Sequence, residues 1–313
     1  MELDTEGEGF YLEGRDGKDI YIHQWEEILK PRAVVQIFHG MAEHGGRYQR
    51  FAEFLNKNGF IVYADDHRGH GKTAGTVDKI GYIGEDGYNR IVEDEHLLTE
   101  LIKARHPELP VFVFAHSFGS FIGQSYITKY GGDIAGVILS GSAAKSHIEI
   151  FVGKILAYIE CSFVGKTKRS HLVDAVCFAT YNKKIANPKS EFAWISRDDY
   201  EVNKYEADDF CGTPFTMNYF YYLFKGLGEL NKKGNFKNIP QKLPIYIMSG
   251  ADDPVGSYTK SVKKLYEMYE DVNIKDIELM LYPGGRHEML NEINREEVFN
   301  NILEWLNKHI LNK

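Results

Sequence analysis

A short apolar run that ends in a serine-containing turn constrains the fold of this chain more than any other feature. Residues 111–115 are continuously apolar, and His116-Ser117-Phe118-Gly119 follows directly. Such runs are typical of strands that are buried on both faces of a parallel sheet. A serine on the sharp turn between such a strand and a helix has its hydroxyl exposed, and the start of the helix favours negative charge. The pattern therefore predicts that Ser117 is a nucleophile.

A serine nucleophile needs a base to take its proton and an acid to orient that base. His287 is the candidate base, because it follows the strand-like run 277–282. An acid-bearing loop follows another apolar run, 244–249. The order serine, acid, histidine, with each residue after a predicted strand, is specific for the α/β-hydrolase fold. We therefore predict an α/β hydrolase with a catalytic triad.

Two neighbouring aspartates compete for the acid role. Related loops place the acid three residues after a glycine, and Gly250 puts Asp253 at that position. We expect Asp253 to orient His287, with Asp252 as the alternative.

The oxyanion that forms during ester cleavage needs two backbone donors. The amide of the residue after the nucleophile is one of them, which here is Phe118. The other comes from the loop after the third predicted strand, residues 39–48, whose small residues let the backbone approach a ligand. Met41 is the predicted second donor.

Short apolar runs alternate with helical patterns along most of the chain, which predicts a mostly parallel sheet flanked by helices. Residues 8–25 have the pattern of a hairpin. The alternation stops after residue 140 and resumes at residue 244, and an inserted helical cap is the simplest explanation. The predicted division is a first core part at 1–143, a cap at 144–214 and a second core part at 215–313.

Composition excludes some classes of function. A net charge of -8 and an isoelectric point near 5.9 argue against a general nucleic-acid-binding protein, which needs a basic face. The three cysteines show no C-x-x-C spacing, so we expect neither a disulfide framework nor a zinc site. No signal peptide or membrane-spanning run is recognisable. We therefore expect a cytoplasmic protein without a metal ion or cofactor.

A second glycine-rich segment resembles the end of a P-loop. Gly71-Lys72-Thr73 follows an apolar run, but the motif requires a glycine where this chain has Asp66, a carboxylate that would repel phosphate. The acids and histidines of the same loop lack the helical spacing of a metal site, so we expect them to form a hydrogen-bond network.

Five segments together resemble the monoacylglycerol lipase and lysophospholipase branch of the α/β hydrolases. They are HGMAEHGGRY at 39–48, DDHRGHGKT at 65–73, AHSFG at 115–119, SGADDPVG at 249–256 and GGRHEMLNE at 284–292. The similarity extends from about residue 33 to the C-terminus and includes Ser196-Arg-Asp-Asp in the predicted cap. Two positions depart from the family pattern, Ala115 and Ser120, where glycine is usual or common.

The resemblance implies a serine ester hydrolase that acts on monoacylglycerols or lysophospholipids. It also implies that Glu43 and Arg47 lie near the polar alcohol part of the substrate, and hence that the leaving group is glycerol-like. A short-chain esterase, a peptidase or an acyltransferase would use the same triad, because specificity depends on the cap. A non-catalytic ligand-binding protein of the same fold is a further alternative.

The predicted cap contains an apolar stretch at near-helical spacing, followed by basic residues. The apolar residues are Ile148, Phe151, Ile155, Ile159 and Phe163, and the basic segment is 166–169. Such a helix can dip into a lipid surface and place its basic end against anionic headgroups. It can equally pack down on the core. The first interpretation predicts transient, peripheral contact with membranes.

Overall fold

The computed structural model describes residues 9–26, 28–144, 153, 155, 165–232 and 234–310. One sheet of eight strands crosses it in the order β1-β2-β4-β3-β5-β6-β7-β8. The strands are β1 Gly9–Glu13, β2 Asp19–Trp25, β3 Ala33–Phe38, β4 Phe60–Asp65, β5 Val111–His116, β6 Gly136–Ser140, β7 Ile245–Gly250 and β8 Ile277–Tyr282. Strand β2 is antiparallel to both of its neighbours, and all other pairs are parallel. The mostly parallel sheet and the N-terminal hairpin agree with the sequence pattern.

Helices cover both faces of the sheet. Within the described residues they are α1 Gln49–Lys57, α2 Gly71–Ala74, α3 Gly87–Arg105, α4 Phe118–Tyr130, α5 His171–Phe178, α6 Asp199–Glu206, α7 Met217–Leu230, α8 Lys260–Asp271 and α9 Arg295–Ile310. One core layer joins the sheet to α3, α4, α7 and α8, and the other joins it to α1 and α9. Alternate residues of one strand enter opposite layers, as Val34 and Val35 do. This is the predicted α/β-hydrolase fold.

About a hundred residues separate β6 from β7, although the two strands are direct neighbours in the sheet. Helices α5 and α6 lie in this part of the chain, whereas α7 belongs to the core layer that also contains α3 and α4. The division at 144–214 stays a prediction. Most of the predicted amphipathic stretch 148–163 lies outside the described residues, and Ile155 within it is 41% exposed. No helix in the described ranges has both the length and the apolar character that spanning a bilayer requires.

Helix α4 crosses β5 and β3 at very short range. A Cβ atom on Gly119 would lie 2.2 Å from the carbonyl oxygen of Phe38, so only glycine fits there. One turn later, a Cβ atom on Gly123 would lie 2.9 Å from the Cβ atom of Ala115. Ala115 is therefore accommodated because the facing helix position has no side chain. The close crossing places the start of α4 directly over the carboxyl end of β5.

Candidate active site

Ser117 lies at the end of β5 in a backbone conformation that residues with a side chain rarely adopt. Its φ is +52° and its ψ is -117°. Its amide donates to the carbonyl oxygen of Ser140 at 2.9 Å. Its own carbonyl accepts hydrogen bonds from the amide of Ser120 at 2.9 Å and from the Ser120 hydroxyl at 2.6 Å. A strained conformation persists only where its surroundings hold it. These hydrogen bonds hold the turn that presents the Ser117 hydroxyl.

His287 and Asp253 complete a hydrogen-bonded chain with this hydroxyl. The Ser117 Oγ lies 2.8 Å from Nε2 of His287, and Nδ1 of the same ring lies 3.0 Å from Oδ2 of Asp253. The three side chains come from loops after β5, β8 and β7. The loops that follow parallel strands all lie at the same edge of the sheet. The prediction of these three residues from the sequence rests on this rule.

The local structure favours Asp253 over Asp252 as the partner of His287. Asp253 is fully buried, and its Oδ1 accepts the amide of Val255 at 2.9 Å. Its Oδ2 accepts the Ser249 hydroxyl at 3.2 Å in addition to the imidazole. Asp252 is exposed to solvent. Fixed donors on both oxygens hold the Asp253 carboxylate in the plane that the histidine needs.

Burial and ion pairing act in opposite directions on this pair. Burial lowers the pKa of His287, but the Asp253 carboxylate raises it, and the net pKa lies above the usual value. Burial raises the pKa of Asp253, whereas His287 lowers it, and the net pKa is below the usual value. The pair thus favours a positively charged imidazole next to a carboxylate. That is the charge state that forms when His287 takes a proton from serine.

His116 packs against the other side of the histidine. Its ring centroid lies 4.7 Å from that of His287. Burial, and then the nearby His287, lower the pKa of His116 to about 3. His116 therefore stays neutral near neutral pH and adds no positive charge beside the base.

The loop after β3 passes directly over the serine. A Cβ atom on Gly40 would lie 3.3 Å from the Cβ atom of Ser117. The amide of His67 donates to Nε2 of His39 at 2.9 Å, so Nδ1 carries the proton and donates to the Gly40 carbonyl at 2.7 Å. The peptide bond between Gly40 and Met41 is trans, so the Met41 N–H points away from the Gly40 carbonyl.

The second predicted donor, the amide of Phe118, begins helix α4. The first amides of a helix have no partner within the helix. The amide of Met41 lies on the loop that passes over Ser117, and the amide of Phe118 begins the helix that follows it.

Glu43 and Arg47 belong to a buried network of charges. Glu43 accepts hydrogen bonds from the amide of Gly40 at 2.6 Å, the hydroxyl of Tyr48 at 2.9 Å and the guanidinium of Arg47 at 2.6 Å. Arg47 also donates twice to Glu288, at 2.8 and 2.9 Å. Burial alone would raise the pKa of Glu288, but the charge and hydrogen bonds of Arg47 outweigh this effect. The pKa of Glu288 is therefore lowered to about 2. Arg47 thus joins the loop after β3 to the residue that follows His287.

The loop with the P-loop-like sequence forms hydrogen bonds with its own backbone and neighbours. Asp66 accepts the amides of Gly45 at 2.8 Å and Lys72 at 2.7 Å, and its Oδ1 also lies 2.9 Å from Nε2 of His23. Oδ2 of Asp65 lies 2.9 Å from Nδ1 of His67. The carboxylate at the position of the P-loop glycine therefore holds the loop together.

Residues of the predicted cap contact the loop after β8, and no sequence pattern indicated these contacts. The amide of His287 donates to the carbonyl of Trp194 at 3.3 Å, and the amide of Glu288 donates to that of Ile195 at 2.7 Å. The Trp194 ring lies 5.0 Å from the His287 ring. These contacts join irregular segments far apart in the chain, for which the sequence carries no periodic signal.

One family model matches most of the chain. The model of the family described as serine aminopeptidase, S33 matches residues 29–294. The chain belongs to this family. The matched residues include every element from β3 to the loop after β8. The chain is therefore a serine hydrolase of the α/β-hydrolase superfamily.

Curated relatives cover nearly the whole chain. A monoacylglycerol lipase of Mycolicibacterium smegmatis is 28% identical over 310 residues, which is 95% of this chain and 96% of that protein. A monoglyceride lipase of Saccharomyces cerevisiae is 27% identical over 289 residues, or 89% of this chain and 85% of that protein. These relatives confirm the predicted resemblance to monoacylglycerol lipases.

Solved structures give the same result at the level of the fold. A thermostable carboxyl esterase from Bacillus coagulans, in complex with glycerol, superposes with a TM-score of 0.89 at 30% identity, over 97% of this chain and 98% of that one. A lipase in an open form has a TM-score of 0.85 at 26% identity, over 97% and 99% of the two chains.

The two aspartates of the acid loop provide a direct test of the site. Asp253→Asn should lower kcat for a p-nitrophenyl ester by a factor on the order of 10⁴, because the amide would favour the wrong tautomer of His287. Asp252→Asn is the matched control and should stay close to the parent protein. Steady-state kinetics on both variants checks this. A larger loss for Asp252→Asn would show that the acid has been misassigned.

Proposed function

We propose that the protein is a serine carboxylic-ester hydrolase that cleaves single-acyl-chain glycerolipids, monoacylglycerols or lysophospholipids. The observation that carries the proposal is the chain of hydrogen bonds from Ser117 through His287 to Asp253. The relatives named as monoacylglycerol lipases support the substrate class.

The chemistry proceeds through an acyl-enzyme. Ser117 Oγ attacks the ester carbonyl while Nε2 of His287 takes the hydroxyl proton. The amides of Met41 and Phe118 stabilise the oxyanion of the tetrahedral intermediate. His287 then gives the proton to the departing alkoxide oxygen. In the second half a water molecule attacks the acyl-enzyme with His287 again as base, which releases the fatty acid and restores Ser117.

An apolar cluster beyond Ser117 is suited to the acyl chain. It consists of side chains from α4, α7 and the segment after β6, namely Phe121, Ala143, Leu223, Phe224 and Leu227. Phe121 lies one turn after the nucleophile on α4. Gly153 of the predicted cap lies against the cluster, because a Cβ atom on it would lie 2.4 Å from the Phe224 ring. Burial of an acyl chain against these side chains favours long-chain substrates.

The alcohol end of the substrate lies on the side of Glu43 and Arg47. Both Ser117 and Glu43 border Gly40, where an added Cβ atom would lie 3.3 Å from the Ser117 Cβ and 2.6 Å from the Glu43 carboxylate. Both oxygens of this carboxylate already accept hydrogen bonds. In the proposed complex a glycerol hydroxyl joins this polar network, in which the single guanidinium of Arg47 pairs with two carboxylates.

A second candidate function is peptide or amide hydrolysis. The matching family is described as serine aminopeptidase, S33, and the triad geometry suits acyl transfer from amides as well as esters. Substrate preference distinguishes the two functions.

The substrate class is tested by a panel of monoacylglycerols of increasing acyl length, lysophosphatidylcholine, p-nitrophenyl esters and an aminoacyl p-nitroanilide. We expect kcat/KM for monoacylglycerols to rise roughly fourfold per added carbon until the acyl chain has covered the apolar cluster, since a buried methylene contributes about 0.8 kcal/mol. Ser117→Ala is the control and should remove the signal on every substrate. A flat chain-length profile would favour a general esterase, and preferential cleavage of the anilide would favour the peptidase.

A finer proposal concerns contact with lipid surfaces. Leu172 and Val176 lie one turn apart on α5 in the cap, and they are 57% and 55% exposed. Lys168, just before this helix, is exposed as well. Apolar side chains beside basic residues suit the interface of an anionic membrane. We propose that this face of α5 touches the membrane transiently while the substrate enters.

Co-sedimentation with phosphatidylcholine vesicles that contain phosphatidylglycerol tests this contact. Leu172→Asp combined with Val176→Asp should reduce the bound fraction severalfold, because two charges then replace the apolar face. Ile293→Asp, at a similarly exposed apolar residue outside the cap, is the control and should bind like the parent. Equal binding of the double variant and the control would reject contact through α5.

A further inference from the structure

The turn that carries Met41 contains a strained residue. Ala42 has a φ of +55°, in the left-handed region that glycine enters freely and alanine enters with strain. Across this turn, the Gly40 amide donates to the Glu43 carboxylate at 2.6 Å. That contact does not hold the outward-facing carbonyl of Ala42. A strained residue requires surroundings that fix it.

Two donors from the cap region hold this carbonyl. The hydroxyl of Tyr205, on α6, donates to the carbonyl oxygen of Ala42 at 2.9 Å. The amide of Gly212 donates to the same oxygen at 3.1 Å. A carbonyl oxygen has two lone pairs, so both are used. Tyr205 is 6% exposed, which shields its hydrogen bond from water.

The same cap segment contacts the loop at two further points. Nε2 of His44 lies 2.9 Å from Oδ2 of Asp208. The guanidinium of Arg47 lies 4.8 Å from the centre of the Tyr205 ring, within the range of cation–π attraction. Residues 205–212 therefore contact the loop within its turn, at Ala42, and after it, at His44 and Arg47. This segment fixes the turn as a unit.

We propose that Tyr205 is a positioning residue of the oxyanion hole. Its hydroxyl holds Ala42 in the left-handed conformation, and this fixes the direction of the preceding Met41 amide. The inference rests on the proposed function, in which that amide is an oxyanion donor. The cap region then completes the catalytic site in addition to covering the substrate, and the segment 205–212 must be in place for the oxyanion to be stabilised.

The variant Tyr205→Phe removes the hydroxyl and keeps the ring under Arg47. A misdirected oxyanion donor acts on the transition state and leaves ground-state binding unchanged. We expect kcat for a monoacylglycerol to fall roughly tenfold with KM unchanged, because complete loss of one donor lowers kcat about 10²–10³-fold and the Gly212 amide remains. The affinity for a trifluoromethyl ketone, whose adduct with serine carries an oxyanion, should fall by a similar factor.

Tyr200→Phe is the matched control, because Tyr200 lies on the same helix and is 69% exposed. It should behave like the parent protein. In the Tyr205→Phe background, Ala42→Gly should recover part of the lost turnover, since glycine adopts the left-handed conformation without strain. A merely structural defect at residue 205 would not be rescued in this way.

Unchanged kcat and inhibitor affinity in Tyr205→Phe would overturn the proposal, as would a parallel rise in KM that Ala42→Gly fails to correct. The variant Ser117→Ala distinguishes a failure of the proposed function from a failure of the proposed role of Tyr205. Full turnover by Ser117→Ala would reject the proposed function itself. A normal loss in Ser117→Ala together with unaffected Tyr205→Phe kinetics would reject only the role of Tyr205.

Discussion

The close crossing of α4 over β5 and β3 is the constraint on which the rest of the site depends. The backbone turns within one residue, Ser117, whose positive φ is stabilised by hydrogen bonds to β6 and to the first turn of α4. Glycine at position 119 lets the helix start against the Phe38 carbonyl. Because β3 ends at the same place, the loop after β3 passes over the serine. A wider crossing would separate the nucleophile from the loop after β3.

Electrostatics around His287 follow from a small number of buried charges. Asp253 supports the imidazolium directly, and the Glu43–Arg47–Glu288 network lies on the other side. Arg47 lies between two carboxylates, so its removal would leave two unpaired buried negative charges near the base. Removing one partner of a buried pair is strongly destabilising. The network therefore couples the stability of the loops after β3 and β8 to the charges on Glu43, Arg47 and Glu288.

Much of this arrangement could be predicted from the sequence. Continuous apolar runs predict the parallel strands, and the polar residues after β5, β7 and β8 must meet at one sheet edge. For that reason Ser117, His287 and Asp253 could be named without coordinates. The spacing from Gly250 also favoured Asp253 over Asp252, and the buried, doubly bonded carboxylate at 253 agrees with that choice.

The contacts of the predicted cap, residues 144–214, could not be predicted in the same way. Trp194 and Tyr205 contact the loops of His287 and Ala42 through individual hydrogen bonds, and the one from Trp194 involves only backbone atoms. Neither hydrophobic period nor motif spacing encodes such pairings. Glu43 and Arg47 were expected near the alcohol group from family resemblance, but their pairing with Glu288 depends on a loop about 240 residues away.

The central claim is that Ser117 is activated by His287 and Asp253. Treatment with a fluorophosphonate, followed by intact-mass measurement and peptide mapping, tests it most directly, because only an activated serine reacts quickly. The account predicts a single adduct on Ser117, formed much more slowly in Asp253→Asn. An adduct on another residue, or none in the folded parent protein, would contradict it.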